Sequence, residues 1–285
     1  LSMAQMYVEG VTTRKVTSVL QKMCGLSFSS SDVSRATSLL DDELDQWRKR
    51  PIGEVKYLIL DARYEKVRMN GSVVSCAVLI ATGVLADGKR SVLGVSVSMS
   101  EAEVHWRELL LDLKKRGMHG VKLVTSDEHA GLQSALRSAL PGVPVQRCQV
   151  HLQRNASAYI PKADMREGVA ADIRTIFNAP DREEAERLLG KTVEKYQEKA
   201  SRLAVWMEDN LPDGFSIFEF PLKHRRRLRT TNMVERQNRE IRRRTRVSGL
   251  FPNEASLLRL VSAILMEVSE EWESADKAYL KMKAD

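Results

Sequence analysis

The stretch VKYLILDARYEKVRMNGSVVSCAVLIATGVLADGKRSVLGVSVS, Val55 to Ser98, decides the fold. It opens on an apolar run, Val55 to Leu60, that turns polar at Asp61. Asn70-Gly71 and Asp87-Gly88 then interrupt two further apolar, β-branched runs. These dipeptides favour the left-handed backbone that tight hairpins require. Three consecutive antiparallel strands follow from that pattern.

Downstream, EAEVHWRELLLDLKKRG (Glu101 to Gly117) has helical periodicity and stops at a glycine. VKLVTSD (Val121 to Asp127) reads as a fourth strand, EHAGLQSALRSAL as a helix and VPVQRC as a short fifth strand. The order β-β-β-α-β-α-β resembles a ribonuclease-H-like core: an α/β fold with a mixed five-stranded sheet and flanking helices. Short crossovers would set the fourth strand parallel to the first. Residues 151–225 read as helical, with breaks at Pro161, Pro180 and Pro212. Because the core still lacks its last helix there, this segment reads as an all-α insertion. The helix from Thr231 to Arg246 then completes the core, and a long C-terminal helix closes the chain. The expected division is therefore 1–52 helical, 53–150 the first part of the core, 151–225 the insertion and 226–285 the second part.

Upstream, residues 10–50 read as capped amphipathic helices around Gly25. Two helices joined by a short glycine-containing turn resemble a helix-turn-helix, an arrangement also common in proteins that do not bind DNA. In that reading Ser31, Ser34 and Arg35 lie near the start of the recognition helix, and Ser34 and Arg35 are candidate DNA contacts.

The 285 residues carry 45 Lys and Arg against 38 Asp and Glu. The excess is concentrated in KHRRRLR (Lys223 to Arg229) and TTNMVERQNREIRRRTR (Thr230 to Arg246). A run of charge is ordinarily a solvated face, but a local basic block also suits an anionic partner, most simply nucleic acid. Three widely spaced cysteines do not make a disulfide framework and suit a reducing, cytoplasmic setting. No apolar run is long enough to span a membrane. The opening LSMAQMYVEG reads like the middle of a longer protein, so a missing N-terminal part is expected.

Asp61 and Asp127 each close an apolar run. On parallel neighbouring strands their carboxylates would lie side by side. Hard cations such as Mg2+ take oxygen ligands, and two such ions can serve phosphodiester chemistry. The ordinary alternative for both is turn chemistry at a strand end. A third acid would have to come from a helix over the sheet edge, and Glu235 is the candidate. At about 100° per residue, Glu235 shares a face with Arg239, Arg242 and Arg246, whereas Val234, Ile241 and Thr245 form a packing side. The rival, Glu240, lies about 140° away. A plain surface pair between Glu235 and Arg239 would also explain the acid. Cys148 and His151 have ligand-like spacing, but no second Cys/His pair completes a zinc site. No G-x-S-x-G elbow, Walker loop or G-x-G-x-x-G is present. Trp206 reads as a core residue, or alternatively as a stacking partner for an unpaired base.

At these residues the chain resembles bacterial insertion-sequence transposases of the Mutator superfamily. LILDARYEKVRMNG is similar to the family's first-Asp motif, and HWRELLLDLKKRGMHGVKLVTSDEHAGL to its second-Asp region. QRCQVHLQRN is similar to its Cys-x-x-His signature, and TTNMVERQNREIRRRTRVSGLFPN to the segment that holds its Glu. The resemblance implies a DDE transposase with Asp61, Asp127 and Glu235 as catalytic metal ligands for two Mg2+ ions, with Mn2+ able to substitute. Cys148 and His151 carry over as signature residues near the site. The implied partner is double-stranded DNA, both element ends and target, bound by a homodimer. Candidate phosphate contacts are Arg225, Arg226, Arg227, Arg229, Arg236, Arg239, Arg242, Arg243 and Arg246. The implied reaction is hydrolytic cutting followed by transfer of a freed 3′-hydroxyl. A DNA-binding regulator without catalysis, and a nuclease that does not join, are the alternatives.

Overall fold

The computed structural model describes residues 6, 9, 11, 13–24 and 29–282; the side chains at 13, 14, 23, 24, 30, 232, 233, 235 and 236 lie outside that description. Helices α1 (Thr13–Cys24), α2 (Ser30–Ser38) and α3 (Asp41–Lys49) come first. The turn of the expected helix-turn-helix, residues 25–28, lies outside the described residues. Helix capping is clear at α2, where Ser29 and Asp32 form a reciprocal capping box.

Strands β1 (Val55–Met69), β2 (Ser72–Leu85) and β3 (Arg90–Ser98) form the antiparallel meander. The β1–β2 turn has positive φ at both Asn70 (48°) and Gly71 (82°), as the Asn-Gly pair demands. Helix α4 (Glu103–Lys115), strand β4 (Leu123–Ser126), helix α5 (Ala130–Ala139) and strand β5 (Val145–Arg147) follow. The sheet order is β3-β2-β1-β4-β5, with β4 parallel to both β1 and β5. This is the expected mixed five-stranded sheet.

Both faces are covered, which is why the central strands read as nearly continuous apolar runs. On one face Leu58, Leu60, Leu79 and Val124 pack against Trp106, Leu110 and Leu113 of α4 and Leu132 and Leu136 of α5. On the other, Tyr57, Ile59 and Leu123 share a core with the helical stretch that follows β5. That stretch contains α6 (Gln149–Ala156), α7 (Arg166–Phe177), α8 (Arg182–Gln197), α9 (Ser201–Asn210) and α10 (Leu222–Leu228). Its apolar residues, among them Leu152, Ile173, Phe215 and Leu228, are continuous with the sheet's. Trp206 belongs to this core and stacks on Tyr159, with ring centroids 5.4 Å apart.

Helix α11 (Asn232–Ser248) and helix α12 (Glu254–Ser274) complete the same face. Val234, Ile241 and Thr245 are buried, as the periodicity anticipates. Helix α12 lies over β2 and β3, with Val261, Ile264 and Trp272 against Val78, Ile80 and Val92. It also holds α3, because Arg259 makes a two-pronged contact to Asp41 at 2.6 and 2.7 Å.

One sequence expectation needs correction. Asp61 does not end its strand: β1 continues to Met69. What ends near Asp61 is the pairing with β4, whose last partnered residue on β1 is Ile59. Beyond that point β1 is held by β2, so its burial alternates and its sequence turns polar.

Candidate active site where the parallel pairing of three strands ends

Strand register builds the site. The β1–β4 pairs Tyr57↔Leu123, Leu58↔Val124 and Ile59↔Thr125 keep a constant offset. Continued two residues, the same offset sets Asp61 opposite Asp127. The β4–β5 pairs end at Ser126↔Arg147, so the next residues in line are Asp127 and Cys148. Asp61, Asp127 and Cys148 thus occupy one level across three neighbouring strands. Asp61 and Asp127 have the parity of Tyr57, Ile59 and Leu123, the side that α11 covers.

Asp61 accepts a hydrogen bond from the side-chain amide of Asn238 on α11. Burial pushes its carboxyl up to about 6, and the negative charge of Asp127 adds to that rise. The Asn238 bond and the charge of His151 oppose it. Asp127 is paired with His151 through Oδ1 and Nδ1. That bond, with a second to Cys148, holds the imidazole up at about 10 against the opposing effect of burial.

Cys148 is fully buried and sits immediately before α6, one helical turn from His151. Burial would push its thiol up. Hydrogen bonds with His151 and Thr231 outweigh this and hold it below the ordinary thiol range. The Thr231 backbone N–H lies 3.4 Å from Sγ and its hydroxyl 3.5 Å. One ligand atom from each of Asp127, Cys148 and His151 lies within 4.8 Å of the others.

Thr231 is the N-cap of α11 and Asn238 lies seven residues on. Position 235 is four residues from Thr231 and three from Asn238, so helical spacing puts all three on one face. Thr231 meets Cys148 and Asn238 meets Asp61, which turns that face toward the strand ends. The side chains of Glu235 and Arg236 themselves lie outside the described residues. A clamp fixes the helix beside Asp61. Arg63 donates to the Asn238 carbonyl at 2.6 Å and to Glu65 at 2.9 Å, and Thr245 donates to the same Glu65 at 3.0 Å. Sequence reasoning missed Asn238, Thr231 and this clamp. The one available signal was the spacing, since asparagine has no intrinsic reason to occupy a helix interior.

The basic candidates separate by environment. Arg226, Arg239, Arg242 and Arg246 are exposed, and no acid among the described residues pairs with them. Arg225 donates to the carbonyls of Phe220 (2.7 Å), Pro180 (2.6 Å) and Phe218 (2.9 Å). Arg229 donates to Asn178 at 2.7 Å, Arg227 lies over the Tyr279 ring at 4.5 Å, and Arg243 pairs with Glu240 at 3.1 Å. Near the other end of the chain, Ser34 is exposed on α2 and Arg35 pairs with Asp32.

Comparison with known proteins identifies the family. Residues 1–275 match the family model described as transposase, Mutator family. The chain is 55% identical over 282 residues to the transposase for insertion sequence element IS406 of Burkholderia multivorans, covering 98% of this chain and 72% of that protein. It is 42% identical to the transposase for ISRM5 of Rhizobium meliloti, covering 99% of this chain and 70% of that protein. It is 37% identical to the transposase for IS256 in transposon Tn4001 of Staphylococcus aureus, covering 98% of this chain and 72% of that protein. The chain belongs to the Mutator family of transposases.

Proposed function

We propose that this transposase is of the DDE type, with Asp61, Asp127 and Glu235 as its acids, and that it cuts element ends and joins them to target DNA. The observation that carries this reading is the shared register of Asp61 and Asp127 under the helix that bears Glu235. The donor set suits a hard divalent cation. Two carboxylates share one level, and beside them the Asn238 Oδ1 is buried with no partner among the described residues. Asp61, Asp127 and Glu235 would hold Mg2+, or Mn2+ in its place, in a two-ion site. Bound there, the ions would supply Lewis-acid stabilisation of the attacking and leaving oxygens of a phosphodiester.

The chain's own residues do the positioning. Asn238 fixes the rotamer of Asp61, and His151 fixes that of Asp127. The exposed Arg226, Arg239, Arg242 and Arg246 would hold strand phosphates next to the acids, contacts that orient DNA without reading its sequence. Arg236, with Ser34 and Arg35 of the N-terminal helices, would extend the footprint. Residues 1–52 would then contribute to binding of the element ends and 151–225 would form an α-helical insertion within the catalytic core. Joining requires two ends together, so the working unit is a homodimer on double-stranded DNA. Among the described residues no helix is long and apolar enough to cross a membrane. We place its work in the cytoplasm, on nucleoid DNA.

Strand transfer tests this reading. Purified full-length protein is mixed with labelled element-end DNA, a target plasmid and Mg2+. Wild type should give joined product; Glu235→Gln and Asp61→Asn should bind DNA and give none. Full strand transfer by Asp61→Asn would remove the triad from the reading, and cut ends without joined molecules would make the protein a nuclease.

A further inference from the structure

The zinc site that spacing alone argued against gains its missing ligand in three dimensions. Cys148 and His151 are one helical turn apart, and the β4–β5 register delivers Asp127 beside them. Together they offer a thiol sulfur, an imidazole nitrogen and a carboxylate oxygen, all within 4.8 Å of one another. We propose that Asp127, Cys148 and His151 form a site for a thiophilic divalent cation of the Zn2+ class, distinct in chemistry from the Mg2+ pair and sharing Asp127 with it.

Ligand chemistry supports the assignment. A hard ion such as Mg2+ has no use for sulfur, whereas Zn2+ takes thiolate, imidazole and carboxylate together. Tetrahedral coordination with bonds of about 2.0–2.3 Å sets ligand atoms about 3.3–3.8 Å apart. The three groups therefore need only small rotamer adjustments. Three protein ligands leave the fourth position open to water or a phosphate oxygen. The surroundings also match a bound thiolate. Cys148 Sγ is buried, and the Thr231 N–H and hydroxyl approach it at 3.4 and 3.5 Å. Such outer partners orient a ligating group and stabilise its charge. Thr231 is the N-terminal flanking residue of the helix that carries Glu235, so the same contact ties the sulfur to α11.

The consequence is regulatory. Asp127 is the ligand common to both sites, so Zn2+ held through it competes with the Mg2+ pair for that carboxylate and should slow cutting. This consequence, unlike the site itself, rests on the proposed DDE reading.

The test uses the full-length protein and the metals alone. X-ray absorption at the zinc edge of Zn2+-loaded wild type should show one sulfur at about 2.3 Å and nitrogen or oxygen at about 2.0 Å. Co2+ in place of Zn2+ should give intense tetrahedral visible bands and a near-ultraviolet thiolate charge-transfer band. That band should vanish in Cys148→Ser and persist in Cys76→Ser. A first shell without sulfur, or a charge-transfer band that survives Cys148→Ser, overturns the site. The wild-type absorption spectrum decides the matter even if Cys148→Ser fails to fold. Strand transfer in Mg2+ is read separately, with and without equimolar Zn2+. Zinc bound through sulfur with undiminished transfer overturns the regulatory consequence alone. An absence of transfer without zinc overturns the DDE reading and leaves the spectroscopic answer standing.

Discussion

Asn238 donates its side-chain amide to Asp61 across the gap between helix α11 and strand β1. The bond joins the strand that carries the first acid to the helix that carries Glu235, and Arg63 reinforces it from the main-chain side of the same asparagine. Replacing Asn238 by alanine should therefore leave the fold intact and still damage catalysis. Loss of an outer partner of a metal ligand typically costs roughly 10–100-fold in affinity or activity. The expected outcome is a drop of that order in single-turnover strand transfer, with an unchanged circular dichroism spectrum. Asn238→Asp should be worse, since it sets a carboxylate against a carboxylate. Unchanged rates in both variants would show that the contact positions nothing.

The basic residues should fall into two experimental classes. Arg239→Ala should leave thermal stability unchanged, weaken DNA binding and reduce the slope of log affinity against log salt by about 1. Arg225→Ala should strand the part-buried carbonyls of Phe218 and Phe220 just before α10 and remove a tie to the exposed Pro180 carbonyl. A buried unsatisfied acceptor costs roughly 1–3 kcal/mol, and each kcal/mol lowers Tm by about 2–4 °C in a chain of this size. Melting curves beside salt titrations separate the two, and an Arg225 variant with normal Tm would contradict the assignment.

Trp206 should behave as a core residue. It is buried against Tyr159 and the helical core that continues into the sheet. Trp206→Ala should cost about 3–5 kcal/mol in a denaturant melt, whereas Trp206→Phe should cost less and leave end binding unaltered. A large loss of end binding in a fully stable Trp206→Phe protein would favour the base-stacking role instead.

Gly131 gives a backbone test of the loop after Asp127. A Cβ there would stand 2.5 Å from the Glu101 carbonyl oxygen and 2.8 Å from the Glu103 nitrogen. Neither is the end of a flexible side chain, so α5 must shift away from the start of α4. Gly131→Ala should cost about 1–3 kcal/mol in stability and lower strand transfer by moving Asp127. Measured stability equal to wild type would mean that the loop yields freely.

Much of this was legible in the residues. Asn70-Gly71 announced the first hairpin because few other pairs adopt positive φ twice in succession. The apolar runs before Asp61 and Asp127 announced buried parallel neighbours, and Val234, Ile241 and Thr245 announced the packing side of α11. Other features were not legible. The continuation of β1 past Asp61 was hidden because its outer half is supported along one edge, and a half-exposed strand there tolerates Arg63, Glu65 and Lys66. Arg225 looked like a DNA contact because sequence reveals its charge and not the carbonyls that surround it. The convergence of Asp127 on Cys148 and His151 depends on strand register, which spacing along the chain does not encode.

The bond between Asp61 and Asn238 spans 177 residues of sequence. On a ribosome the first acid is therefore made long before the helix that disciplines it. A chain that stops short of α11 carries Asp61 and Asp127 but lacks Asn238 and position 235. On the proposed DDE reading, cutting competence would therefore arrive only once α11 has been made.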